Sequence, residues 1–190
     1  MSTTATELRP RHCWTVDDYH TMADVGLLHE DSRVELIEGE VVEMAPIGSE
    51  HAGKVVRLGH LLTIRLGERA LVSTQNPLQL GEHSEPQPDI AVLARREDFY
   101  EATHPGPADV LLLFEVADSS AAYDRQVKIP LYARHGIPEV WLVDLQRHCL
   151  EIHRQPGAGG YDRVTEHRTG KVSPERLPEV AIALDEVFPV

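Results

Sequence analysis

The chain has 190 residues, 42% of them hydrophobic, which is long enough for one well-filled core and short for two. Its 18 Lys and Arg stand against 31 Asp and Glu, a formal net charge of −13, and this excludes a surface that holds nucleic acid by phosphate neutralisation alone. No apolar run approaches the roughly 20 residues of a membrane span, and the polar start Met1-Ser-Thr-Thr lacks a signal-peptide core, so a cytoplasmic protein is expected, with Cys13 and Cys149 as reduced thiols.

Residues 1–14 read as a flexible tail and 15–190 as one domain. Thr15 is placed to cap a helix running to about His29, with Val16, Tyr19 and Leu27 on one face. Arg33 to Ile37 and Glu40 to Met44 alternate at period two around Glu38-Gly39, the signature of a tight hairpin with one acidic face, Glu35 on the first strand and Glu43 on the second. Ser49 heads a second helix to about Leu66, apolar enough to be mostly buried, with His51 in its first turn.

Leu71 to Leu80 reads as a strand broken at Asn76-Pro77, and a proline-rich loop then delivers the chain to Asp89 and the strand Ile90 to Leu93. Glu97 to Ala102 is read as a short helix. Val110 to Ala117 is apolar on both faces except at Glu115, and reads as a buried central strand. Ser119 or Ser120 opens a helix interrupted by Pro130 and closed by Gly136. Val140 to Leu145 and Cys149 to Arg154 form a hairpin, and Tyr161 to Arg168 a polar edge strand. Strands and helices in this order give an α/β fold, an α+β mixed sheet flanked by helices.

A carboxylate inside a buried strand needs a cation or a metal beside it, because leaving it charged and alone costs several kcal/mol. Lys128, on the segment after Glu115, is the nearest cation in sequence. Joined through a short helical crossover, the strands at Asp89 and Glu115 become neighbours, and the two carboxylates with Lys128 then make a hard oxygen site for Mg²⁺ or Mn²⁺. Each residue also has a plainer role. Asp89 serves as a solvated turn residue, Glu115 as half of a structural ion pair, Lys128 as an i, i+4 partner of Asp124, and His51 as a local hydrogen-bonding group or a phosphate contact.

The combination Val34-Glu-Leu-Ile-Glu-Gly39, His51, Pro88-Asp89, Phe114-Glu-Val116, Asp124 with Lys128, and Tyr132-Ala-Arg-His-Gly-Ile-Pro-Glu-Val-Trp-Leu-Val-Asp144 resembles the Uma-two family of the PD-(D/E)XK nuclease superfamily, from about residue 15 to Phe188. The resemblance implies a restriction-endonuclease-like fold and Mg²⁺-dependent (or Mn²⁺-dependent) cleavage of a phosphodiester in nucleic acid, with DNA as the expected substrate. Asp89 and Glu115 would be metal ligands, Lys128 catalytic, and Glu35 a third acidic ligand or water-orienting group. The superfamily lysine two residues after the glutamate is replaced by Ala117, and Lys128 would reach the same point from the following helix. A homodimer is expected by analogy only. The competing class is a nuclease fold without turnover, serving as a binding or assembly module. A serine hydrolase is disfavoured because no Gly-x-Ser-x-Gly elbow occurs.

Overall fold

The computed structural model describes residues 11–29 and 31–189. Of the tail expected over 1–14, residues 1–10 lie outside the described residues, whereas Arg11 to Trp14 run along the first hairpin, with the Trp14 amide donating to Gly39 O at 2.9 Å. Helix α1 (Val16–Asp24) opens on a reciprocal capping box: Asp18 N donates to Thr15 Oγ1 and Thr15 N to Asp18 Oδ2. It stops short of the expected His29. Gly26 turns left-handed at φ 74°, and Leu27, 68% exposed, finds no apolar surface that would reward another turn.

Strands β1 (Val34–Ile37) and β2 (Glu40–Glu43) pair antiparallel through Glu38 and Gly39, both at positive φ, as a two-residue hairpin turn requires. Gly39 is required twice, because a Cβ there would lie 2.8 Å from Cys13 Sγ. The acidic residues fall on different faces: Glu35 opposes Val42 and is buried, while Glu43 opposes Val34 and is exposed. Helix α2 (Ser49–Leu66) starts where expected but buries one face only. Val55, Leu58, Leu62 and Leu66 are covered, whereas Val56 is 71% exposed.

The main sheet runs β3 (Ala70–Thr74), β4 (Ile90–Ala94), β5 (Val110–Ala117), β6 (Glu139–Asp144), β7 (Cys149–Gly157) and β8 (Gly160–His167) in spatial order. All neighbours are antiparallel except β5 and β6. The helical crossover expected between Asp89 and Glu115 is absent. Glu97 to Tyr100 form a turn in which Phe99 and Tyr100 sit at φ 49° and 63°, outside any α-helix, and β4 returns directly as its antiparallel neighbour β5. Asp89 and Glu115 therefore still occupy adjacent strand ends. Small antiparallel strands β9 (Lys171–Val172) and β10 (Ile182–Ala183) and helix α5 (Leu184–Val187) close the chain.

Alternation along β5 divides the core in two. Phe114 and Val116 pack with Trp141, α2 and the C-terminal segment, while Leu113 and Ala117 pack with Ile129, Leu131 and Tyr132 on the other face. That second face is covered by the β5–β6 connection, made of α3 (Ala121–Tyr123), a π-helical turn Asp124–Lys128 and α4 (Ile129–Arg134). Pro130 has no amide to donate, and the chain meets it by widening the preceding turn, where Ile129 N bonds Asp124 O. The segment ends at Gly136, φ 74°, as its lack of a side chain suggested. Among the described residues no helix is long and apolar enough to cross a membrane. Cys13 and Cys149 are both free thiols.

Candidate active site

A cleft of about 540 Å³ opens where β1, the start of α2, the start of β4, the end of β5 and the π turn meet, and Glu35, His51, Asp89, Glu115 and Lys128 all line it. Every candidate residue from the sequence is thus brought to one place. Glu115 has the same parity on β5 as Ala117, so it points at the helical layer, where Lys128 Nζ lies 2.9 Å from its Oε1 and Tyr132 OH donates to the same oxygen at 2.5 Å. Lys128 Nζ also lies 3.5 Å from Glu35 Oε2 and 3.4 Å from Gln87 O. Its side chain is 6% exposed.

Lys128 makes no salt bridge to Asp124. Asp124 Oδ2 instead accepts from Ser120 Oγ at 2.8 Å, so the i, i+4 surface pair is replaced by a tertiary one. Asp89 is not a solvated turn residue: the Val116 amide donates to its Oδ2 at 2.8 Å, which pins it to the end of β5. The bond of His51 is not local either. Its Nε2 lies 2.9 Å from Asp89 Oδ1, and Gln75 adds a longer contact of 3.3 Å to the same oxygen.

Burial lifts the Glu115 carboxyl to about 8, against the downward pull of the Lys128 charge, and the nearby Asp124 and Asp89 add to the rise. Burial alone would depress Lys128, but Glu115, Glu35 and Asp124 together outweigh it and hold the amine charged well above neutral pH. Burial also raises Asp124, and the bond to Asp89 raises His51. The cleft therefore holds a buried cation, Lys128, with carboxylates on either side of it, while Arg33 lines its exposed rim.

Three further residues complete the surroundings of the site: Asp124 and Tyr123 line the cleft, and the buried Tyr132 supports Glu115 from behind. Asp124, Lys128 and Tyr132 recur at four-residue spacing, a polar ladder that could have shown which helix face turns inward. Tyr123 lines the cleft with its hydroxyl buried and without a hydrogen bond among the described residues, and burial pushes its pKa up to about 12, so it stays protonated. Tyr123→Phe should leave the thermal midpoint of the ligand-free protein unchanged or raise it, since an unmatched buried hydroxyl costs about 1–3 kcal/mol. A clear fall in a calorimetric melt would show that this hydroxyl has a structural partner.

The donor set fits a hard divalent ion in chemistry, being carboxylate oxygens from three separate strands or strand ends with a single imidazole behind them. In spacing it is held differently. Among the described residues, ligand atoms of three His, Cys, Asp or Glu side chains approach within 4.8 Å of one another at His20, Glu85 and His104 and at Asp144, Cys149 and Glu151, outside the cleft. Within the cleft the Lys128 ammonium stands between Glu115 and Glu35, 2.9 and 3.5 Å from their oxygens.

A six-stranded mixed sheet flanked by helices, with acidic groups gathered where β4 and β5 begin and end, defines a restriction-endonuclease-like α/β protein. The crystal structure of "a putative nuclease belonging to DUF820" from Anabaena variabilis ATCC 29413 has this fold, with a TM-score of 0.73 at 17% identity over 92% of this chain and 97% of that one. Residues 16–185 match the Uma2 family, described as "Putative restriction endonuclease", and the chain belongs to that family. No curated protein matches it.

Proposed function

We propose that this protein is a metal-dependent endonuclease that hydrolyses phosphodiester bonds, with DNA as substrate and Mg²⁺ or Mn²⁺ as cofactor. The observation that carries the reading is the convergence of Glu35, Asp89, Glu115 and Lys128, from four separate segments, in one cleft of about 540 Å³. Asp89 and Glu115 would hold the ion, which supplies Lewis-acid activation of water and charge neutralisation at the phosphate. Asp89 is oriented for this by the Val116 amide and by His51. Glu35 accepts from Gln87 N at 3.1 Å and keeps its second oxygen for orienting water. Lys128, whose Nζ lies 2.9 Å from Glu115, would stabilise the charge developing on the phosphate. Ala117 and Glu115 share a face of β5 and Lys128 descends on that same face, which supports the lysine having moved from position 117 to the helix. His51 is close enough to the same cleft to reach a phosphate.

The test is cleavage of single- and double-stranded DNA by the purified protein with Mg²⁺ or Mn²⁺ at low salt, which limits repulsion from the −13 charge. Cleavage should vanish in chelator and fall by about 10²-fold or more in Asp89→Asn. A second reading, a nuclease fold that binds without cutting, draws on Ala117 and on the ion pairs already satisfying Lys128. Unchanged DNA binding with no cleavage under any of these conditions would favour it.

A further inference from the structure

We propose that His20, Glu85 and His104 form a second metal site, for a borderline divalent transition ion of the zinc type. The three ligands come from α1, from the loop before β4 and from the loop before β5. His20 Nε2 lies 3.0 Å from both carboxylate oxygens of Glu85, and the ligand atoms of all three residues lie within 4.8 Å of one another. Zinc–nitrogen and zinc–oxygen bonds of about 2.0–2.2 Å in tetrahedral geometry place ligand atoms roughly 3.3–3.6 Å apart. The His20–Glu85 pair is already near that separation, and His104, on an exposed loop, brings its ligand atom within 4.8 Å of both.

The charge balance points the same way. Glu85 is 3% exposed, and among the described residues its carboxylate pairs only with His20 and with no lysine or arginine. A buried carboxylate without a fixed cation is costly, and a neutral imidazole offers one proton for two oxygens. The other compact cluster differs on this point. At Asp144, Cys149 and Glu151 the charges are already met by Arg125, 2.5 Å from Asp144 Oδ2, and by Arg147, 2.7 Å from Glu151 Oε1, which leaves no need for an ion.

Two imidazoles with one carboxylate favour Zn²⁺, Co²⁺ or Ni²⁺ over Mg²⁺, so this site and the cleft select different ions. Three protein ligands leave a fourth position open, and the half-exposed His20 makes it reachable from solvent. An ion here ties together three segments that support the cleft. Glu85 N donates to Leu36 O beside Glu35, and the Glu85 loop continues through Gln87 to Asp89. The inference stands independently of the nuclease reading.

Titration with Co²⁺, followed by its visible absorption and by Zn²⁺ competition, tests it on the full chain. One equivalent should bind with a ligand-field band, and Zn²⁺ should raise the thermal midpoint. His20→Ala and His104→Ala, at exposed positions whose folding is checked by melting in chelator, should each weaken binding about 100-fold or more. The Asp89→Asn/Glu115→Gln double variant should retain it. Co²⁺ binding that survives both histidine replacements, that is lost in the double variant, or that is absent from the wild type would overturn the proposal.

Discussion

Glu115→Gln is expected to abolish Mg²⁺ binding in the cleft and DNA cleavage, while the metal-free protein stays as stable as wild type at pH 7 or becomes more so. Burial pushes the Glu115 carboxyl up towards its neutral form, so an amide of the same shape costs little. Tyr132 OH can still donate to the amide oxygen, and Lys128 keeps Glu35. Mg²⁺ is the right probe, because it prefers oxygen and leaves an imidazole-rich site alone.

The same residue sets a pH dependence. Its folded-state pKa, about 8, lies above the ordinary value of 4.5. Its contribution to stability is therefore complete below about pH 4.5 and is lost as pH rises to about 8. Glutamine does not titrate. Denaturant melts in chelator should show the stability gap moving in favour of Glu115→Gln between about pH 5 and 8, by at most about 1.4 kcal/mol per pH unit. A gap that stays flat, together with a sharply lower midpoint for the variant, would make Glu115 an ionised partner of Lys128 held for structure alone.

Lys128→Ala should slow cleavage by about 10²-fold or more, the scale of losing one preorganised charge at a transition state. Unlike Glu115→Gln, it should also destabilise the metal-free fold by about 3–5 kcal/mol, because Glu35 and Glu115 then lose their shared cation in a buried pocket. On the proposed function the ammonium and the ion would compete for Glu115, so Mg²⁺ should raise the melting temperature of Lys128→Ala by more than that of wild type. Lys128→Arg should rescue poorly. A planar guanidinium does not fit where Nζ stands 2.9 Å from Glu115 and 3.4 Å from Gln87 O. Equal rates for wild type and Lys128→Ala would refute the relocated lysine.

The sequence by itself determined the elements whose causes are local. Thr15 and Asp18 cap α1, Glu38-Gly39 turns the first hairpin, Gly136 ends the helical segment, and the unbroken apolar run from Val110 to Phe114 makes a strand buried on both faces. Its burial made Glu115 conspicuous, and the requirement for a nearby cation pointed to Lys128. The tertiary structure decided what depends on contacts between distant segments. The β4–β5 pair is antiparallel because the chain turns at Phe99 and Tyr100 in left-handed conformations that their side chains do not advertise. Asp89 is held by Val116, 27 residues away, and by His51, 38 residues away on α2, so neither partner leaves a trace in local spacing. Lys128 leaves Asp124 for Glu115 and Glu35 because the π turn aims it at the sheet, where two buried carboxylates lie 2.9 and 3.5 Å from its Nζ, while the buried Asp124 is held by Ser120.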